Sequence, residues 1–233
     1  MKLLAFDTAT EALAVALCHG ARSWVFDGEG GAKASAELLP CIQALLREAG
    51  LSLVDLDAIA FGRGPGAFTG LRTACSVAQG LALGAAKPVL AIDSLLIVAE
   101  GARAGAADVD VDVAMDARMG EVYAGRYAHA GGLWRVLRAP ALFTLPALNA
   151  VWQLEPPRAV AGSALAAFGS SLVFGAAPVL AGAASRAAAL LRCAQAAQLA
   201  GLAVDAALAL PLYLRDKVAQ TTAERALAKA QQA

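Results

Sequence analysis

The sequence predicts an α/β fold of two related lobes, each with a mixed β-sheet flanked by helices. Short apolar runs typical of buried strands alternate with helical patterns along the chain. The two halves also repeat one order of elements. Each opens with a strand that ends in an aspartate, Asp7 in the first half and Asp116 in the second, and a strand meander follows. Such a repeat is typical of a duplicated fold.

Residues 1–103 are predicted to form the first lobe, which begins with a three-stranded meander. Ser35 is predicted to cap the first helix and Gly50 to end it, because serine favours the N-cap and glycine the left-handed conformation after the last turn. A strand, a glycine-rich loop with a second helix, a further strand and a third helix follow. The predicted elements are strands 2–6, 12–18 and 23–26, the helix after Ser35, strand 56–61, helix 69–86, strand 88–92 and helix 94–102.

The second lobe is predicted to cover residues 104–218, after an alanine- and glycine-rich boundary without apolar periodicity. Residues 219–233 are predicted to form a C-terminal helix or tail. Within the lobe we expect a second meander, a helix, a short strand and a long helix. Their predicted ranges are strands 111–115, 122–127 and 134–137, helix 145–154, strand 159–161 and helix 184–202.

Composition and charge argue against several classes of protein. Basic and acidic residues both number 19, so the net charge is zero and nucleic-acid binding by this chain alone is not expected. The mean hydropathy of +0.60 reflects alanine, and the uncharged stretch 159–185 contains glycines and a proline, so no membrane span is predicted. Asp7 lies too early for a signal peptide, which predicts a cytoplasmic protein. The scattered cysteines predict reduced core thiols.

The densest cluster of glycines, FGRGPGAFTGLR at residues 61–72, lies between a predicted strand and a predicted helix. Thr69 is the expected N-cap of that helix, whose first N–H groups could receive an anion. The spacing matches neither the dinucleotide fingerprint nor a P-loop. Two alternatives remain open, a structural tight turn and a loop that meets a ligand or partner. The residues assigned to this loop are Gly62, Arg63, Gly64, Pro65, Gly66, Thr69 and Gly70.

The helix after the loop carries small residues at every fourth position, Ser76, Gly80 and Gly84, which therefore share one face. Glycine inside a helix costs about 1 kcal/mol relative to alanine. Two glycines on one face therefore predict that a neighbouring helix approaches closely, either within the chain or on a partner.

Several stretches together resemble the TsaB (YeaZ) family of the actin, Hsp70 and sugar-kinase superfamily. They are MKLLAFDTATEALAVAL, ELLP in the first helix, GRGPGAFTGLR, AQGLALG, AMDARMGEVYAG and PLYLRDKVA, from residue 1 to about residue 218. The resemblance implies a duplicated actin-like ATPase (ASKHA) fold. It also implies a non-catalytic subunit that pairs with the transferase TsaD, and with the ATPase TsaE, to support threonylcarbamoyl transfer to the adenosine next to the anticodon of tRNA (t6A formation).

The resemblance also implies that this chain holds no catalytic or metal-binding residue, because the HxxxH pair of TsaD is missing. Asp7, Thr8 and Asp116 remain as candidates for weak ATP or ADP binding, with no cofactor required. Arg118 is expected to pair with Asp116 or Glu121, a structural role. Tyr213 and Arg215 are expected to pack a terminal segment against the body.

For the small-residue face, the resemblance favours a partner over a neighbour within the chain. A TsaD-like transferase and a TsaE-like ATPase are the expected partners, with tRNA bound only through the complex and a homodimer in the isolated protein. A stand-alone ATPase or kinase of the superfamily, or a peptidase, is the alternative function. The candidate partner-binding residues are Leu38, Leu39, Ile42, Phe68, Arg72, Ser76, Gly80 and Gly84.

Overall fold

The fold is known from a computed structural model that describes residues 1–31 and 33–215. The described chain forms two mixed sheets flanked by helices, which confirms the predicted fold class. The predicted tail at 219–233, and the last three residues assigned to the second lobe, lie outside the described residues.

The first sheet has five strands in the order β3-β2-β1-β4-β5. The first three strands form the predicted antiparallel meander, and β4 and β5 add in parallel beside β1. β1 is buried on both faces, which explains its unbroken apolar sequence. The strands are β1 (Lys2–Asp7), β2 (Ala12–His19), β3 (Arg22–Glu29), β4 (Ala58–Gly64) and β5 (Val89–Asp93).

Three helices follow these strands: α1 (Ala34–Ala49), α2 (Phe68–Ala85) and α3 (Ser94–Arg103). Gly50 ends α1 in the left-handed conformation, as predicted. Both predicted N-caps are wrong. Lys33 precedes α1, so Ser35 lies in its first turn, and Ala67 precedes α2, so Thr69 lies inside that helix.

The second sheet has the order β8-β7-β6-β9, with an antiparallel meander and a short parallel strand at its edge. The predicted meander and the helix at 145–154 are confirmed. Thr144 caps that helix by accepting a hydrogen bond from the Ala147 N–H. The elements are β6 (Val109–Asp116), β7 (Glu121–Ala130), β8 (Leu133–Thr144), α4 (Leu145–Leu154), β9 (Val160–Ala161) and α5 (Ala164–Phe168).

The last described helix, α6 (Arg186–Leu199), returns to the first sheet. Its buried residues Leu190 and Leu191 share a core with Leu3 of β1, and Val204 then pairs with Val89 beside β5. The division at 103/104 stays a prediction, but packing assigns α6 to the first sheet. α1 and α2 cover the opposite face of that sheet.

All four cysteines are free thiols, and three of them are buried, which agrees with the expected core role. None of the helices in the described part of the chain is long and apolar enough to cross a lipid bilayer.

Candidate functional site

The glycine-rich loop packs against the turn that follows β1. The Thr8 hydroxyl donates to the Gly70 carbonyl at 2.7 Å, and the Ala67 N–H donates to the Ala9 carbonyl at 2.8 Å. A Cβ atom at Gly70 would overlap the Thr8 carbonyl oxygen, and one at Gly62 would overlap the Asp7 carboxylate. The loop therefore needs glycine to meet another part of its own chain, which favours the structural alternative.

Asp7 lies at the end of β1 and is 0% exposed. Its Oδ1 accepts from the Ala9 N–H at 2.8 Å. Its Oδ2 accepts two hydrogen bonds from Arg186, 3.0 Å from Nε and 2.6 Å from Nη2. Arg186 is the first residue of α6, and its Nη2 also lies 3.5 Å from the Ser94 carbonyl oxygen. Both oxygens of the predicted cleft carboxylate are thus bound by the chain itself.

The other two nucleotide candidates also have partners within the chain. Thr8 is buried and bonds Gly70. Asp116 Oδ1 accepts from the Arg118 N–H at 2.8 Å, and the Arg118 guanidinium bonds Glu11 and lies 3.5 Å from Asp116 Oδ2. The expected Arg118–Asp116 pair is confirmed. The alternative partner, Glu121, instead pairs with Arg215 at 2.6 Å.

A cavity of about 940 Å³ lies between the second lobe and the β1–β2 turn, and it is mainly apolar. Arg186, Glu11 and Ser163 are among its few polar side chains. Its apolar lining includes Ile97, Val98, Met115, Leu165, Phe174 and Leu180. A metal-bound nucleotide needs free oxygen ligands for the cation and donors for the phosphates. The side chains that line this cavity offer few such groups. Weak ATP or ADP binding is not tested by these contacts and stays a prediction.

The small-residue face of α2 is exposed. Ser76, Gly80 and Gly84 lie on the surface, and a Cβ atom at either glycine would meet no described heavy atom within 4 Å. Within the described chain, therefore, no helix packs on this face. Leu83, which the sequence analysis missed, lies beside it and is 79% exposed.

Two of the predicted partner-binding residues are corrected by the structure. Leu38 and Ile42 are buried in the core that α1 shares with the first sheet, so a partner cannot contact them. Leu39 is on the outer side of α1 and is exposed. We call the exposed set the helix-pair surface: Leu39, Arg72, Ser76, Gly80, Leu83 and Gly84.

Tyr213 packs against the start of α2 and Arg215 against the turn between β6 and β7, so both hold the terminal segment to the body as expected. The Phe68 and Tyr213 rings are 5.1 Å apart, and the Arg72 guanidinium lies 3.9 Å from the Phe68 ring centre. Arg215 donates to the Ala117 carbonyl at 3.0 Å. Phe68 is therefore half-buried under Tyr213 rather than fully exposed.

Glu100, buried on α3, links elements of both lobes and was also missed by the sequence analysis. It accepts hydrogen bonds from Arg103 on α3, from Arg192 on α6 at 2.5 Å and from the Trp134 indole on β8 at 2.9 Å. Burial alone would raise the pKa of Glu100. The hydrogen bonds from Arg103, Arg192 and Trp134 outweigh burial, and the pKa lies below its usual value.

A second buried contact joins the lobes nearby. The Tyr127 hydroxyl on β7 donates to Asp93 at the end of β5 at 2.7 Å. Burial raises the pKa of Asp93, and burial together with the charge of Asp93 raises the pKa of Tyr127. Neither contact involves the helix-pair surface, so these buried groups connect the lobes and leave α1 and α2 free.

Comparison with known proteins decides the family. A family model described as "TsaD: tRNA N6-adenosine threonylcarbamoyltransferase" matches residues 31–149. The solved structure of YeaZ from Pseudomonas aeruginosa superposes with a TM-score of 0.81 at 38% identity, covering 91% of this chain and 99% of that one. The chain belongs to the TsaB (YeaZ) family. This confirms the family that the motifs indicated.

A curated TsaB protein agrees with this family. The "tRNA threonylcarbamoyladenosine biosynthesis protein TsaB" of Escherichia coli is 42% identical over 142 residues, which is 58% of each chain. The match thus spans little more than half the length of that TsaB relative. A polyphosphate/ATP-glucomannokinase from Arthrobacter has a TM-score of 0.50 at 10% identity over 85% of this chain, which relates this chain to that kinase in fold alone.

Proposed function

We propose that this chain is a non-catalytic subunit that pairs with a TsaD-type transferase and supports threonylcarbamoyl transfer to the adenosine next to the anticodon of tRNA. The observation that carries this proposal is the contrast between its two candidate sites. At the candidate nucleotide site, the carboxylate of Asp7 is bound by Arg186. At the candidate partner site, the glycines of α2 are open to solvent. The name of the Escherichia coli relative supports the same pathway of tRNA modification.

The helix-pair surface suits a helix of a partner protein. Gly80 and Gly84 have no side chains to hold a second backbone away, and closely packed helices lie about 8–10 Å apart. Leu83 and Leu39 flank the glycines and are exposed. Large apolar side chains next to an open backbone gain stability when a partner covers them. We assign this surface to the TsaD-type transferase.

The remaining partners follow from charge and chemistry. The chain has no net charge, so tRNA binds through the assembled complex rather than to this subunit alone. A TsaE-type ATPase provides the nucleotide hydrolysis that Asp7 is not placed to support. The same surface accounts for a homodimer when the subunit is isolated, because an isologous pair would cover the same leucines. Such a complex works in the cytoplasm, on tRNA.

The alternative of a stand-alone kinase or ATPase has no supporting observation. It requires an accessible carboxylate at the end of β1, and Asp7 is enclosed there. The peptidase alternative is not supported by the contacts of His129 either. Its Nδ1 lies 2.6 Å from the Ala107 carbonyl oxygen and its ring packs against Trp134, so this histidine has a structural role.

Depletion of the protein in its native cell tests the proposal. Mass spectrometry of bulk tRNA nucleosides should show a loss of threonylcarbamoyladenosine, restored by the wild-type gene. The Arg118→Ala variant, altered at an exposed ion pair outside the helix-pair surface, should restore the nucleoside equally and serves as the control. An unchanged nucleoside level after depletion would exclude the proposed function.

A further inference from the structure

We propose that residues 205–213, the segment after α6, form a third part of the surface that binds the TsaD-type partner. This inference rests on the proposed function. It extends the partner-binding surface beyond α1 and α2, which carry the helix-pair surface. The segment includes a short 3₁₀ turn, Ala206–Leu208.

The segment is fixed along one side of α2. The Ala209 carbonyl accepts hydrogen bonds from Gln79 Nε2 at 3.0 Å and from Cys75 Sγ at 3.4 Å. The Leu212 N–H donates to the Arg63 carbonyl at 2.7 Å. Asp205 caps the 3₁₀ turn by accepting from the Ala207 N–H. A surface already ordered in the free subunit loses little conformational entropy on binding.

This fixed segment nevertheless exposes large apolar side chains. Ala209 is buried against α2, while Leu208 and Leu210 on either side of it are 67% and 69% exposed. Tyr213 is exposed as well. Burying two such leucines and a tyrosine in a partner would remove substantial apolar surface from water, and tyrosine is among the residues that dominate binding energy at interfaces.

The segment and the helix-pair surface are continuous. Cys75 and Gln79 face the segment on one side of α2, and on the other side the Thr73 hydroxyl lies 3.1 Å from that of Ser35 on α1. Helical spacing places Ser76 and Gly80 between those two sides. A helix laid on Gly80 therefore meets α1 along one flank and the 205–213 segment along the other.

The chemistry of the partner follows from this arrangement. It must offer apolar side chains to Leu208 and Leu210. Arg72, exposed beside Tyr213, forms no ion pair among the described residues, so the partner is expected to place a carboxylate near it. A partner of this kind that also covers Gly80 is the TsaD-type transferase, and it is the one occupant we assign.

The test measures affinity for the purified TsaD-type transferase by isothermal titration calorimetry. The double variant Leu208→Glu/Leu210→Glu should bind at least tenfold more weakly than wild type. Leu133→Glu/Leu154→Glu carries the same charge change at two exposed leucines of the second lobe and should bind as wild type. Melting temperatures of both variants should match wild type, because all four side chains face solvent.

Two results would overturn the inference. In the first, Leu208→Glu/Leu210→Glu binds with wild-type affinity while Gly80→Leu does not bind, which leaves the proposed function intact. In the second, light scattering shows that the double variant loses only self-association, so the segment is an interface between copies. If Gly80→Leu also binds normally, the transferase does not bind the helix-pair surface. That result would contradict the proposed function and not the further inference alone.

Discussion

Arg186 donates two hydrogen bonds to one carboxylate oxygen of Asp7 across 179 residues of sequence. Arg186 is partly buried and lines the apolar cavity described above, whereas Asp7 has no exposed surface. A guanidinium in this position neutralises the carboxylate and fills the place from which it could orient a cation. The contact also links the start of α6 to the end of β1, so Asp7, predicted to lie in a nucleotide cleft, has a structural role.

Removing the arginine should therefore destabilise the protein. Arg186→Met leaves the Asp7 charge buried without a partner, and we expect a loss of about 3–5 kcal/mol in the free energy of unfolding. Urea denaturation followed by circular dichroism measures it. Arg118→Met removes an exposed pair and should cost about 1 kcal/mol or less. Asp7→Asn/Arg186→Met should be more stable than Arg186→Met alone, and equal stability of the two would contradict a buried-charge mechanism.

The purified chain should show negligible ATP turnover, because the Asp7 carboxylate is bound on both oxygens. Phosphate release should stay far below the rate of order 1 s⁻¹ found for slow enzymes. Asp7→Ala is the control, since a contaminating ATPase would be unaffected by it. Turnover near 1 s⁻¹ that disappears in Asp7→Ala would show a working cleft.

Stability should depend on pH through Glu100. Its folded pKa is lowered, chiefly because three donors outweigh burial, so its contribution is complete above its unfolded pKa of about 4.3 and is lost as pH falls through the folded value. Wild type should exceed Glu100→Gln in unfolding free energy by about 3 kcal/mol at pH 7. The difference should shrink below about pH 4.

Glu48→Gln, an exposed change on α1, should follow wild type at every pH. A difference between wild type and Glu100→Gln that is constant from pH 7 to pH 3 would show that packing, not charge, accounts for the effect.

The sequence predicted those features that depend on neighbouring residues. Both meanders, the left-handed Gly50 and the small-residue face of α2 followed from local patterns. Thr69 is not the N-cap because the N-cap is Ala67, two residues earlier, at a position that propensity alone does not fix.

The parts that could not be predicted depend on contacts distant in sequence. No residue near Asp7 in the sequence indicates that Arg186 is its partner. The one signal in the sequence is that Arg186 is the first charged residue after the uncharged stretch 159–185. Apolar periodicity marks Leu38, Leu39 and Ile42 as one group, but only the position of the sheet separates the buried two from the exposed one.

Gly80 offers the sharpest test of the helix-pair surface. A Cβ atom there meets nothing within 4 Å, so Gly80→Ala should stabilise the isolated subunit by about 1 kcal/mol through helix propensity. At concentrations where both proteins are monomeric, Gly80→Leu should also melt no lower than wild type. It should nevertheless fail to bind the TsaD-type transferase, because its side chain occupies the place of the partner helix. Thermal melting and co-purification measure the two properties separately. A Gly80→Leu subunit destabilised by about 1–3 kcal/mol would instead indicate overpacking within the chain. A Gly80→Leu subunit that melts normally and still co-purifies with the transferase would show that the transferase binds outside the helix-pair surface.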